Sequence, residues 1–161
     1  MITKIIDTID VNSILKSFLE FDKNILWTNY PQGKQVGIQY KLDEDPWTSA
    51  VGKSQGKELE YTELNLFFKD TIFETIIKKY NLKRTRLMWV NSKSCYSLHS
   101  DETPRIHIPL ITNPECYFLF KPGLLHHLTA GSVWWVNTKL HHTFLNCSDH
   151  PRLHLVGVVA N

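Results

Sequence analysis

A chain of 161 residues that is 42% hydrophobic and 21% charged is long enough for one domain with a sizeable core. This composition excludes a disordered tail, and no apolar run approaches the roughly 20 residues of a membrane-spanning helix. The formal net charge of +2 is too small to indicate a nucleic-acid-binding protein by charge alone. Three cysteines without paired spacing predict free thiols in a reducing compartment, so we expect a cytoplasmic protein.

Two amphipathic helices are predicted in the first part of the chain. Apolar residues recur at helical spacing over residues 11–19, where Asp10 or Asn12 is the expected cap. A second helix is predicted from about Thr62 to Tyr80. The basic stretch 78–86 then has the composition of a helix C-terminus, where cations are favoured by the helix dipole, and we assign its two arginines to that end.

The remainder of the chain is predicted to be mainly β-structure. Alternation over residues 35–41 predicts a strand, and the polar, glycine-containing stretch 43–56 is expected to be a loop. After residue 85, β-branched and aromatic runs follow one another and are separated by turn residues. Seven such runs predict a sandwich or barrel-like pair of sheets with the helices outside, namely 86–90, 95–99, 105–111, 116–120, 132–136, 142–145 and 152–159.

The histidines are confined to the second part of the chain. All eight lie between His99 and His154, and the four arginines are also late. An asymmetry of this kind suggests a functional site in the predicted β-region. A zinc site using Cys95 or Cys116 with the neighbouring histidines 126 and 127 is one alternative, although the paired ligand spacing of zinc modules is missing.

His99 and Asp101 are separated by one residue, so on a strand both side chains point to the same face. His141 and His142 follow about forty residues later. Two imidazoles and one carboxylate form the facial triad of non-haem Fe(II) oxygenases, which leaves coordination positions open. By itself the H-x-D pattern is a weak signal in a chain with eight histidines.

Two further strands place an arginine and a histidine on one face, Arg105 with His107 and Arg152 with His154. An unpaired buried guanidinium costs several kcal/mol, so each arginine either points to solvent or binds a carboxylate. Arginine binds carboxylates through two parallel hydrogen bonds, and a dicarboxylate co-substrate would supply that partner.

Five motifs in order resemble the aspartyl/asparaginyl β-hydroxylase family of 2-oxoglutarate- and Fe(II)-dependent dioxygenases. They are H-x-D at 99–101, R-x-H-x-P-L at 105–110, G-x-x-W at 131–134, H-x-x-x-N at 142–146 and R-x-H-L at 152–155. The resemblance implies a mainly β protein with flanking helices and a double-stranded β-helix, a cupin-like jelly roll. It further implies a single dioxygenase-like domain over 1–161, in which 1–85 is a helical and β scaffold and 86–161 is the core with the metal site.

The resemblance also implies the roles of individual residues. His99, Asp101 and His142 would be the catalytic Fe(II) ligands, with His142 preferred over its neighbour because its motif is completed four residues later. Arg152 would bind the distal carboxylate of the co-substrate 2-oxoglutarate. The other residues expected to line the co-substrate or substrate pocket are Arg105, His107 and His154.

The implied activity is the O2-dependent hydroxylation of a free amino acid or an amino-acid side chain, as by an aspartyl/asparaginyl or prolyl hydroxylase. We expect a small-molecule or peptide substrate, and neither a nucleic acid nor a membrane as partner. Two alternatives remain open at this point. One is a non-catalytic jelly-roll module that binds a metal or a small acid, and the other is a nucleobase-directed oxygenase whose basic stretch 78–86 holds a nucleic-acid backbone.

Overall fold

A computed structural model describes residues 1–54 and 57–160. Within these residues, no helix has the length and apolar character needed to cross a membrane. The helices are α1 (Val11–Phe21) and α2 (Ile72–Tyr80). The strands are β1 (Thr3–Thr8), β2 (Thr28–Tyr30), β3 (Gly33–Gly37), β4 (Gln39–Tyr40), β5 (Glu63–Leu64), β6 (Lys83–Val90), β7 (Ser94–Cys95), β8 (Arg105–Ile111), β9 (Cys116–Phe120), β10 (Leu124–His126), β11 (Ser132–Val136), β12 (His142–Asn146) and β13 (Arg152–Val158).

Two antiparallel sheets form the core of the fold. The larger sheet has the order β1-β11-β8-β13-β6-β3-β2, and the smaller has the order β10-β9-β12-β7. Aromatic residues of the smaller sheet pack against strands of the larger, since Phe118 and Phe144 share one buried cluster with Val90 and Val136. The eight strands β6 to β13 are divided equally between the two sheets, as in a jelly roll, and the predicted fold class is confirmed.

All seven strands predicted after residue 85 are present, although β7 is short and the backbone pairs again only at His99. The structure adds β10, which ends at His126 and is not among the seven predicted strands. Strands from the first part of the chain also extend the larger sheet, because β1 pairs with β11 and β3 pairs with β6. The predicted scaffold 1–85 therefore contributes directly to the larger sheet, which carries Arg105, His107, Arg152 and His154.

The second helix is shorter than its apolar pattern predicts. Residues 62–71 contain β5 and a 3-10 turn, and α2 begins only at Ile72. The side chain of Asn65 accepts a hydrogen bond from the backbone N–H of Phe67, which favours the turn over a continuous helix. Asp70 then adopts a left-handed conformation with φ of 60°, so the helix cannot extend backward through it.

The assignment of the basic stretch 78–86 to a helix C-terminus is wrong for its two arginines. Helix α2 ends at Asn81, which has a left-handed backbone and caps the preceding carbonyls. Arg84 and Arg86 lie beyond that cap on β6 and are buried. Positively charged residues near the end of an amphipathic pattern have the same composition whether they close a helix or begin the next strand, so the pattern could not distinguish the two.

Both faces of the larger sheet are covered, and the faces differ in chemistry. Leu153 and Leu155 point toward the apolar core that includes helix residues Phe18 and Phe73. The alternate residues of the same strands point between the two sheets. On that inner face lie Arg86, Arg105, His107, Arg152 and His154, all buried.

The loop predicted at 43–56 contains no strand or helix over 43–54, and residues 55 and 56 lie outside the described residues. Trp47 packs on Phe67 with ring centroids 5.1 Å apart, in the core beneath the helices. Trp89 belongs to the same core, so neither tryptophan lies on the inner face. Tyr96, in contrast, packs with the aromatic cluster between the sheets.

Candidate metal centre

His99, Asp101 and His142 come together at one end of the smaller sheet. The backbones of His99 and His142 pair through two hydrogen bonds of 2.8 and 2.9 Å, which places the two imidazoles side by side. Potential ligand atoms of the three residues all lie within 4.8 Å of one another. The Nε2 atom of His142 is 3.7 Å from Asp101 Oδ2, and that of His99 is 3.9 Å from Oδ1. His141 is exposed and is not part of this group.

Backbone carbonyls determine which nitrogen of each histidine is available to a metal. The Nδ1 atom of His99 lies 2.8 Å from the carbonyl of Ser97, and that of His142 lies 2.8 Å from the carbonyl of Leu140. A carbonyl only accepts hydrogen bonds, so Nδ1 carries the proton and Nε2 presents its lone pair. Burial also lowers the pKa of His142, which favours the neutral form that binds metals.

Arg105 holds Asp101 in place. Its Nε donates to Asp101 Oδ2 at 2.7 Å, and its Nη2 lies 2.7 Å from Oδ1. Such a two-point contact restricts rotation of the carboxylate. Burial by itself would raise the pKa of Asp101, but the Arg105 guanidinium outweighs that effect and the pKa is lowered overall. The carboxylate is therefore ionised, as a metal ligand must be.

Glu58 is a buried acid that the sequence did not reveal. Its Oε1 accepts from Arg105 at 2.7 Å and from Arg84 at 2.6 Å, while Oε2 accepts from the hydroxyl of Thr103 at 2.6 Å. Desolvation opposes its charge, but the two guanidinium groups lower its pKa overall. Glu58 lies in a short 3-10 turn, Glu58–Glu60, in which Glu60 is exposed. No periodic pattern in the sequence distinguishes the buried glutamate from the exposed one.

Arg152 is buried without an acidic partner. Its Nε and Nη1 atoms have no hydrogen-bond partner among the described residues, and its guanidinium lies 3.1 Å from the ring centroid of Phe144. Burial lowers the pKa of Arg152 to about 9, so the group remains charged at neutral pH. An unpaired buried cation is costly, so this position fits a negatively charged ligand.

His107 and His154 are next to this arginine on the inner face. Their Nδ1 atoms lie 3.5 Å apart, and the Nε2 atom of each is buried with no partner among the described residues. Burial, followed by the charge of Arg152, lowers the pKa of both well below the usual value of 6.5. The ring of Phe118 links them to the metal-binding group, since its centroid is 4.9 Å from that of His107 and 5.9 Å from that of His142.

The other histidines and the thiols lie elsewhere. His126 contacts Thr3, and His127 contacts the carbonyl of Cys116. All three cysteines are free, as predicted. Over residues 1–54 and 57–160, the His–Asp–His group is the only cluster of three suitable side chains, so the alternative zinc site with Cys95 or Cys116 does not form.

An eight-stranded jelly roll with two histidines and one aspartate at the end of a sheet defines a domain of the cupin-like class with a candidate metal site. The sequence model of the aspartyl/asparaginyl β-hydroxylase family matches residues 15–160, and the chain belongs to this family. The resemblance expected from the five motifs is thus confirmed.

Part of the chain is similar in sequence to a curated enzyme. It is 30% identical over 98 residues to the L-proline cis-4-hydroxylase of Rhizobium meliloti (strain 1021), an alignment that covers 57% of the chain and 35% of the relative. The chain therefore spans about a third of the length of this curated relative.

Two structures share the fold. A 2OG-Fe(II) oxygenase family oxidoreductase from Burkholderia pseudomallei has a TM-score of 0.56 at 14% identity and covers 89% of this chain and 76% of its own. A prolyl-4-hydroxylase from Pseudomonas putida has a TM-score of 0.53 at 12% identity and covers 99% of this chain and 91% of its own.

His142→Ala should abolish Fe(II) binding, because it removes a buried Nε2 that no neighbouring side chain replaces. His141→Ala is the matched control and should bind Fe(II) as the wild type does, since this histidine is exposed and is not part of the group. Anaerobic titration with Fe(II) measures both dissociation constants. Equal loss of affinity in the two variants would show that the group is not the metal site.

Glu58→Gln should lower the free energy of unfolding by about 3 kcal/mol, because two buried guanidinium groups lose their shared carboxylate. It should also weaken Fe(II) binding by about 10-fold or more, since Arg105 then holds Asp101 less firmly. Glu60→Gln, on the same turn but exposed and paired with Lys41, should change neither quantity measurably. Unchanged Fe(II) affinity in Glu58→Gln would separate Glu58 from the metal centre.

The metal-free protein should lose stability as the pH falls below 6.5. The unfolded chain protonates His107 and His154 there, while the folded protein keeps them neutral, so protons favour unfolding. Two such groups correspond to about 3 kcal/mol between pH 7.5 and 5.5. Urea unfolding at both pH values measures the loss, and His154→Gln should remove about half of it. A pH dependence that is identical in this variant would contradict the assignment.

Proposed function

We propose that this protein is an Fe(II)- and 2-oxoglutarate-dependent dioxygenase that hydroxylates a free amino acid or an amino-acid side chain. The observation that carries the proposal is Arg152, a buried guanidinium without an acidic partner in the same interior as the His–Asp–His group. A metal site alone would suit many proteins of this fold. A metal site together with a built cation for a carboxylate is the donor set that a 2-oxo acid requires.

His99, Asp101 and His142 would hold the iron through two neutral imidazoles and one ionised carboxylate. Three protein ligands leave the remaining positions of an octahedral metal open for small molecules. When bound, Fe(II) together with 2-oxoglutarate and O2 supplies the oxidising power for inserting one oxygen atom into a C–H bond. The remaining steps of binding and orientation fall to the protein.

Arg152 would bind the distal carboxylate of 2-oxoglutarate. Its position over the Phe144 ring fixes the plane of the guanidinium, and the surrounding aromatic side chains keep water away from the ion pair. The uncharged Nε2 atoms of His107 and His154 are available beside it for hydrogen bonds to the same ligand. These three residues together would align the co-substrate with the metal.

Arg105 has a different role in this proposal from that of Arg152. Two of its three nitrogens are engaged by Asp101 and Glu58, and only Nη1 is buried without a partner among the described residues. Its principal task would be to position the Asp101 carboxylate toward the metal. The free Nη1 leaves one donor for a ligand, in agreement with the predicted place of Arg105 in the pocket.

The kind of substrate follows from family membership and from the curated relative, which is named for hydroxylating L-proline. A nucleic-acid substrate is disfavoured by the basic stretch itself. Arg84 and Arg86 are buried, and Lys78 and Lys79 pair with Glu74 and Asp7, so this stretch does not present a continuous cationic surface. Three free thiols also suit a reducing compartment, and we propose the cytoplasm.

The test is a turnover assay with Fe(II), 2-oxoglutarate, O2 and a panel of free amino acids and short peptides. We expect succinate and a product heavier by one oxygen atom in equal amounts. Binding of metal and 2-oxoglutarate without succinate from any substrate would instead support the non-catalytic binding module.

Arg152→Met provides the matched variant for this assay. It should raise the KM for 2-oxoglutarate by about 100-fold, because a buried cation–carboxylate contact is lost. Without 2-oxoglutarate, the same variant should be at least as stable as the wild type, since an unpaired buried charge is removed. An unchanged KM would show that Arg152 does not bind the co-substrate.

A further inference from the structure

Arg86 is a second buried arginine without an acidic partner. It is 5% exposed, and its Nε has no hydrogen-bond partner within the part of the chain that the structure describes. Its Nη1 donates to Oε1 of Gln35 at 3.1 Å, but a neutral amide does not compensate the charge. Two of the four arginines, Arg84 and Arg105, share the carboxylates of Glu58 and Asp101, so the unpaired charges are those of Arg86 and Arg152.

The two unpaired arginines occupy different places on the inner face. Arg152 pairs with Val90 across β13 and β6, whereas Arg86 pairs with Val156. Val90 and Arg86 are four residues apart on β6, so these two positions are separated by about 13 Å along the strand. The charged groups that influence Arg86 are Arg84, Arg105, Asp101 and Glu58, whereas the titratable groups that influence Arg152 are the uncharged side chains of Tyr96, Cys116 and Tyr30. Arg86 therefore belongs to the surroundings of Asp101 and occupies a different position from Arg152.

Gln35 orients the Arg86 side chain through a defined network. The Oε1 atom of Gln35 accepts from Arg86, and its Nε2 donates to the hydroxyl of Tyr30 at 2.8 Å. The Tyr30 hydroxyl lies 2.7 Å from the hydroxyl of Tyr96, which precedes His99 by three residues in the sequence. The amide is thus held with its oxygen toward the guanidinium, and the guanidinium is positioned before any ligand arrives.

We propose that Arg86, positioned by Gln35, binds the carboxylate of the substrate, so that the substrate is a free amino acid or a similar small carboxylic acid. A residue within a protein chain has no α-carboxylate, and unless it is Asp or Glu it would leave the buried cation unpaired. The inference rests on the proposed function and specifies which of its substrate classes the site accepts. It also gives a function to a residue that the sequence pattern had assigned to a helix end.

The test compares Arg86→Met and Arg86→Lys with Lys83→Met, which removes a cation from the same strand at its more exposed end. The twenty free L-amino acids are titrated first into the wild type with metal and 2-oxoglutarate under anaerobic conditions, so that binding is measured without turnover. The best binder is then compared with its carboxamide. We expect the amide to bind the wild type at least 30-fold more weakly than the acid.

Arg86→Met should weaken binding of the amino acid at least 30-fold and bring acid and amide to within threefold of each other. Its dissociation constant for 2-oxoglutarate should stay within threefold of the wild-type value, as should both constants in Lys83→Met. Arg86→Lys should recover part of the amino-acid affinity, which a purely structural role for Arg86 would not predict.

Several results would overturn the inference. They are equal binding of acid and amide by the wild type, binding of no free amino acid at all, or an Arg86→Met variant whose loss falls on 2-oxoglutarate. Hydroxylation of an internal residue of a peptide would also overturn it while leaving the proposed dioxygenase activity intact. Failure of the proposed function is recognised separately, because it would abolish succinate formation with every substrate.

Discussion

The buried chain of charges from Arg84 through Glu58 and Arg105 to Asp101 is the constraint on which the candidate site depends. A guanidinium buried between two sheets is costly unless a carboxylate compensates its charge, and Glu58 compensates two such groups at once. The same contacts that make Arg105 tolerable also restrict the Asp101 carboxylate to the side of His99 and His142. Stability and metal geometry therefore follow from one set of hydrogen bonds, and the loop that carries Glu58 becomes part of the metal centre although it contains none of its ligands.

The larger sheet makes this arrangement possible because it separates two kinds of interior. One face of β8 and β13 packs leucines and isoleucines against the helices, and this face supplies the apolar burial that stabilises the fold. The other face carries Arg105, His107, Arg152 and His154. Alternate side chains of one strand lie on opposite faces of the sheet, so one strand can contribute to both faces. A substitution on the inner face therefore leaves the apolar contacts of the outer face in place. The cost of an inner face rich in buried cations is thus separated from the packing that holds the sheet together.

The strands and the pairing of His99 with Asp101 were predictable because they depend on neighbours close in sequence, whereas His142 was predicted from the family resemblance. Alternation marks β8 and β13, and one intervening residue brings His99 and Asp101 to one side. Glu58 and Arg86 were not predictable, because their partners lie far along the chain and an acid or arginine with a distant partner has no local pattern. The left-handed residue Asp70 likewise moved the start of α2 through a single backbone conformation that an apolar pattern does not record, whereas the predicted end at Tyr80 agrees with the structure.

The two unpaired arginines each offer the interior of the protein a position for an anion. Each buried cation without an acid raises the free energy of the ligand-free protein. An anion that pairs with it therefore binds without a further cost for burying the cation, because folding has already incurred that cost. If Arg152 receives one carboxylate and Arg86 another, each ligand stabilises the folded chain according to its own concentration and affinity. The charges of Arg84 and Arg105 are compensated by acids within the protein. In the proposed function, the distribution of two internal acids among four arginines would therefore determine both how many anions the site takes and where each of them lies.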